Sequence, residues 1–193
     1  MIQNIMRKYL SFLFLSFCLL PAAAQIRFSD HIEVTMAGDT LEFTRFADKT
    51  VLVYTAALWH DKASEYAELL RLQEIYREDG LVVMELYSSE MSDINYLERT
   101  PFYLYNRGEY PPCPFTFPLF TDYEHCPFFR FLTHHTSSEN FVTKKEEKWF
   151  SPQILQQPLY KWLINRRGEV VKCFDPTIPM TEVTVALKEA LEG

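Results

Sequence analysis

The sequence predicts one α/β domain in which a central mixed sheet is flanked by helices and preceded by an N-terminal β-hairpin. Two runs dictate this, Thr50 to Ala57 and Leu81 to Tyr87, each almost continuous in β-branched and apolar residues, as strands buried on both faces are. Between them Tyr66, Leu69, Leu70, Leu72, Gln73 and Tyr76 recur at helical spacing with charges interleaved. Strand, helix, strand at this distance is a βαβ unit, which makes the two strands parallel and the crossover right-handed.

The remaining elements follow in order. Asp30 to Phe46 reads as a hairpin and its exit: Ile32, Val34 and Met36 alternate, Ala37 to Asp39 turn the chain, and Leu41 and Phe43 alternate again. The helix over Asp61 to Glu78 stops at Asp79 and Gly80, the glycine being suited to a left-handed cap. Met91 to Tyr105 reads as helical, and Gly108 to Pro118, rich in proline and aromatics, as an irregular loop. Pro127 to His135 is a short helix, and Ser137 to Ser151 a polar excursion with a Lys/Glu cluster. Leu159 to Ile164 and Glu169 to Phe174 flank the turn Asn165 to Gly168 as a second hairpin. Thr181 to Glu192 closes the chain as an amphipathic helix.

The N-terminus predicts export. Arg7 and Lys8 precede an apolar run from Tyr9 to Leu20, Pro21 breaks it, and Ala22 to Ala24 supply the small residues of a cleavage site. Residues 1–24 are thus expected to be a signal peptide and residues 25–193 one mature domain, secreted or periplasmic, with no membrane segment after cleavage. Losing Arg7 and Lys8 takes the formal charge from -7 to -9, and an acidic chain without a basic cluster speaks against nucleic acid as a partner. Of four cysteines, Cys18 leaves with the leader. Cys113, Cys126 and Cys173 remain, an odd number, so at most one pair can bridge.

Several stretches in collinear order resemble the glutathione peroxidase family. They are Met36 to Phe43, Thr50 to Ala57, Tyr66 to Met84, Thr116 to Phe120 (Thr-Phe-Pro-Leu-Phe), Pro127 to Leu132, Leu163 to Val171, and Phe174 to Pro179. The resemblance implies a thioredoxin-like fold and an association with peroxide reduction and oxidative-stress response. The family uses a Cys or selenocysteine nucleophile at the start of the first helix, with Gln, Trp and Asn around it. Counting back without gaps from Gly80 puts His60 at the nucleophile position. The Gln position falls on Glu90, and the Trp and Asn positions on Gln157 and Pro158.

All four replacements bear on chemistry. Peroxide reduction needs a thiolate that attacks the O–O bond, becomes a sulfenic acid and is then reduced again, and an imidazole has no such cycle. The catalytic tetrad is therefore not intact, and loss of thiol peroxidase activity is expected. The alternative is an oxidoreductase in which Cys113 or Cys126, flanking the Phe-Pro-Leu-Phe segment, serves as a relocated redox pair, within about 7 Å for a disulfide. Both are followed by proline and neither opens a helix after a strand, which is not the setting that lowers a thiol pKa. Cys173, in the late hairpin, reads as a small packed residue.

Two metal readings are weaker. His60 with Glu90 could hold a proton or a cation. His125, Cys126, His134 and His135 include zinc-ligand types without an established zinc spacing. The sequence thus carries no cofactor or metal expectation. The partners it leaves open are a thiol reductant and a protein bound by the aromatic stretches Tyr103 to Tyr110, Phe128-Phe129 and Trp149-Phe150, which serve equally as core.

Overall fold

The fold is seen in a computed structural model, which describes residues 26–35, 38–56, 63–88, 113, 115–119, 126–145, 151–155 and 159–193. A two-stranded antiparallel hairpin, β1 (Ile32–Val34) and β2 (Thr40–Glu42), is flanked by 3-10 turns at Phe28–Asp30 and Phe43–Phe46. The main sheet follows with β3 (Thr50–Ala56), helix α1 (Ala63–Tyr76), β4 (Leu81–Ser88), β5 (Thr116–Leu119), α2 (Pro127–His134) and β6 (Phe141–Val142). The short α3 (Pro152–Leu155), β7 (Lys161–Ile164), β8 (Val170–Phe174) and α4 (Met180–Glu192) complete it. The six strands lie in the order β5-β4-β3-β7-β8-β6. β3 is parallel to β4 and antiparallel to β7, so the sheet is mixed as expected.

Strand alternation divides the core in two. Val51 and Val53, with Val82, Met84, Leu86, Trp162 and Ile164, face a layer built from the hairpin, α2 and α3. Leu52 and Tyr54, with Leu81, Val83 and Leu163, face α1 and α4, which contribute Leu69, Leu72, Val183, Ala186 and Leu187. Where β5 no longer reaches β4, the Gln73 side chain replaces a strand. Its amide donates to the Leu81 carbonyl at 2.9 Å and its oxygen accepts from Val83 N–H at 2.6 Å. Gly80 takes a left-handed φ of +91°, the conformation expected for ending α1.

Several local expectations are corrected. Thr116–Leu119 is a strand parallel to β4 and not part of an irregular loop, and Pro118 is tolerated because β5 is the sheet's edge. The polar excursion contains β6, whose Phe141 and Val142 pair in parallel with Cys173 and Phe174. The strand expected from Leu159 begins only at Lys161, because Leu159 adopts a left-handed φ of +72°. Phe43 lies in a 3-10 turn, and Ile32 and Val34 point outward, 64% and 54% exposed, while His31 and Leu41 point in. The helix read over Met91 to Tyr105 lies outside the described residues.

Candidate functional site

The sheet places a polar group where an apolar one is the rule. Tyr54 of β3 is the register partner of Glu85 on β4 and of Lys161 on β7, so the three form a row across the α1-covered face. Tyr54, Glu85 and Lys161 are all buried, Lys161 completely. A buried ammonium must be paired, and the Lys161 Nζ lies 3.0 Å from Glu65 Oε2 in the first turn of α1 and donates to the Leu159 carbonyl at 2.9 Å. The turned backbone of Leu159 presents that carbonyl, and it is held by β3. Leu159 N–H donates to the Thr55 carbonyl at 2.6 Å, Thr55 N–H to the Tyr160 carbonyl at 2.9 Å, and Tyr160 N–H to Thr55 Oγ1 at 3.2 Å. A left-handed non-glycine residue stores about 1–2 kcal/mol, and this ladder holds Leu159 in that conformation.

Tyr66 of α1 packs edge-on against Tyr54, with ring centroids 6.1 Å apart. Burial, reinforced by the Glu85 carboxylate, pushes both phenols well above their usual range. The same two causes push up the Cys113 thiol, which is sealed against this cluster and donates to the Val83 carbonyl at 3.4 Å. Tyr54, Tyr66 and Cys113 therefore hold their protons tightly, and the buried thiol is no ready nucleophile.

Cys126 sits on the opposite face of the sheet, among the hairpin aromatics, and stands at the start of α2 in the stretch after β5, which corrects the expectation that neither cysteine opens a helix after a strand. Burial first, and the Glu33 charge in addition, push its thiol up to about 11. Cys113, Cys126 and Cys173 are all buried thiols in this structure, and the sheet separates Cys113 from Cys126. Cys173 is fully packed in β8 as expected, and burial raises it too. His60, Glu90, Gln157 and Pro158 lie outside the described residues, as does His125. Cys126 and His134 stand at opposite ends of α2, about 12 Å apart along its axis, and the His135 Nδ1 is 2.8 Å from the Phe131 carbonyl. Among the described residues no group of three His, Cys, Asp or Glu side chains gathers as a metal site. No described helix is long and apolar enough to cross a membrane. Phe128 and Phe129 are core, whereas Tyr103 to Tyr110 and Trp149-Phe150 fall outside the described residues.

Sequence reasoning passed over Lys161, Glu65, Glu85 and Tyr54. The signal was present: a Lys and a Glu each stand inside an otherwise apolar strand, which is tolerated only when partners meet them.

A mixed sheet with a βαβ unit, a late antiparallel hairpin and helices on both faces defines a thioredoxin-like protein. Solved structures agree. Trgpx in its apo form superposes with a TM-score of 0.62 at 15% identity, covering 88% of this chain and 98% of that one. T. cruzi GPX1 gives 0.60 at 16%, covering 87% and 98%. A thioredoxin-family thiol:disulfide interchange protein from Chlorobium tepidum TLS gives 0.56 at 15%, covering 88% and 98%. In sequence, a glutathione peroxidase of Lactococcus lactis subsp. cremoris (strain MG1363) is 24% identical over 171 residues, 86% of this chain and all of that protein. No protein-family model matches the chain. The chain thus has a thioredoxin-like fold, and in sequence and fold it is similar to glutathione peroxidases.

Proposed function

We propose that this chain is an exported, glutathione-peroxidase-like protein that acts by binding, as a scaffold, without thiol peroxidase turnover. One observation carries the reading: every cysteine outside the leader is buried with its thiol pushed toward the neutral form. A thiolate that attacks peroxide takes one oxygen as sulfenic acid and releases the other as hydroxide, so it must be ionised and within reach of peroxide. None of the three thiols meets either condition. His60 at the family's nucleophile position supports the same conclusion, since imidazole cannot run that cycle. Arg7, Lys8, the apolar run and the three alanines support export.

The described cysteines are buried and offer a thiol reductant no exposed thiol, and the scaffold reading takes a protein as the partner. The test is peroxide consumption by the purified chain beginning at Gln25, with thioredoxin or glutathione supplied. It is run beside Cys113→Ser, Cys126→Ser and His60→Cys variants. The parent is expected to be inactive and His60→Cys to gain turnover. Turnover in the parent that disappears with a single Cys→Ser change would instead assign a relocated catalytic thiol.

A further inference from the structure

Among the groups that join the N-terminal hairpin to α2, one histidine stands in an unusual setting. His31 is 5% exposed, and its Nε2 has no hydrogen-bond partner among the described residues. Its ring is enclosed by Phe43, Phe128 and Phe131, with centroids 5.8, 5.7 and 5.1 Å away. Phe28 completes the same aromatic group, against Phe43, Phe128 and Phe131, and leans on Gly168 of the late hairpin. Glu33, two residues on in β1, accepts a hydrogen bond from Phe128 N–H at 3.0 Å and so caps the first turn of α2.

Among the described residues the titratable groups around the ring are few. On its own segment stand Asp30, whose carboxylate is occupied by Arg27, and Glu33. At the two ends of α2 stand His135, tilted against Phe131 with centroids 4.4 Å apart, and Cys126, which feels the Glu33 charge. Asp30 alone would help a cation at His31, and it is exposed and already engaged. A second proton on this ring would therefore create a buried charge among phenyl groups, which water solvates far better.

We propose that His31 is an acid-sensitive latch: its protonation releases the N-terminal hairpin from α2 and uncovers the aromatic face of that helix.

The sign follows from linkage. Burial, with His135 adding to it, holds His31 at about 4 in the closed state against 6.5 when hydrated. The closed form thus binds fewer protons, and its stability is complete above pH 6.5 and falls as pH drops toward 4. One proton taken up on opening raises the open population by up to about tenfold per pH unit across that window. Glu33 works in the other direction. Burial raises its carboxyl, so the closed form gains from protonating it as pH falls. Acid opening through Glu33 could come only from losing the charged cap on Phe128.

Hydrogen exchange of the purified chain, read as protection factors between pH 7 and 4, tests this. In the parent, hairpin amides such as Thr35 and Phe43 should lose protection by about tenfold per unit below pH 6. Sheet amides such as Leu52 and Val83 should not. His31→Phe, which keeps the aromatic packing without the titration, should flatten the hairpin profile, and Glu33→Gln should leave it in place. A parent hairpin whose protection does not change with pH overturns the proposal, as does a decline that survives His31→Phe or disappears in Glu33→Gln. Should His31→Phe fail to fold, NMR titration of the parent imidazole decides. A midpoint near 4 that tracks hairpin release supports the latch, and one near 6.5 with the hairpin still protected overturns it.

Discussion

On one face of the sheet, α1 and α4 lay Leu69, Leu72, Val183 and Leu187 against strand aliphatics, and the polar row Glu85, Tyr54 and Lys161 runs beneath them. On the other face lie a hairpin, the 3-10 turns, α2 and α3, where Phe28, Phe43, Phe46, Phe128, Phe129 and Phe131 meet Phe141, Tyr160 and Trp162 from the sheet side. The first layer consists of long regular elements that cover the sheet continuously. The second is made of short pieces, and large rings span the gaps between them. Aromatic side chains bring 150–250 Å² each, so pieces with few backbone hydrogen bonds between them still bury a full layer. Polar partners then fix orientation: the Trp162 indole donates to Thr136 Oγ1 at 3.1 Å, and Thr136 donates in turn to the Leu132 carbonyl at 2.8 Å.

The largest effect is expected at Trp162. Its removal in Trp162→Ala should cost about 3–5 kcal/mol by urea denaturation, because short surrounding pieces cannot collapse into so large a space. Recovery to within about 1 kcal/mol of the parent would mean that the aromatic layer is plastic. Next in size is the ion pair of the helical face. Lys161→Ala should lose about 3 kcal/mol, near the low end for a broken buried pair because Glu65 is 17% exposed. Lys161→Met combined with Glu65→Leu should recover most of that loss; if the double variant is as unstable as the single, the row's role is more than charge pairing. Smallest is Lys144→Ala, which removes an exposed contact to Glu182 on α4 and should change stability by at most about 0.5 kcal/mol.

The same contrast explains what the amino-acid sequence disclosed. The helical face was legible because its elements are long and periodic: β3, α1, β4, the late hairpin and α4 are each found where the pattern places them, within a few residues. The aromatic face was legible only in part. Phe141 and Val142 are too few to show a period, and β5 carries a proline that reads as a loop. Ile32 and Val34 follow the alternation of a half-buried strand, yet they face water because His31 and Glu33 take the inner side. Of the site, sequence reasoning located the three thiols and doubted their chemistry from their neighbours. Their burial and their separation by the sheet required the fold. The Lys161 row escaped because its members are far apart in the chain and meet only through strand register.

The outermost strands of the sheet have a consequence for how copies of this chain meet one another. At one border stands β5, four residues long with Pro118 breaking its donor row, and at the other stands β6, only two residues long. A foreign strand needs an uninterrupted ladder of donors and acceptors to grow upon, and among the described residues neither border supplies one. With its three cysteines enclosed as thiols and no disulfide joining them, the fold guards itself against cross-β association by the brevity of its margins.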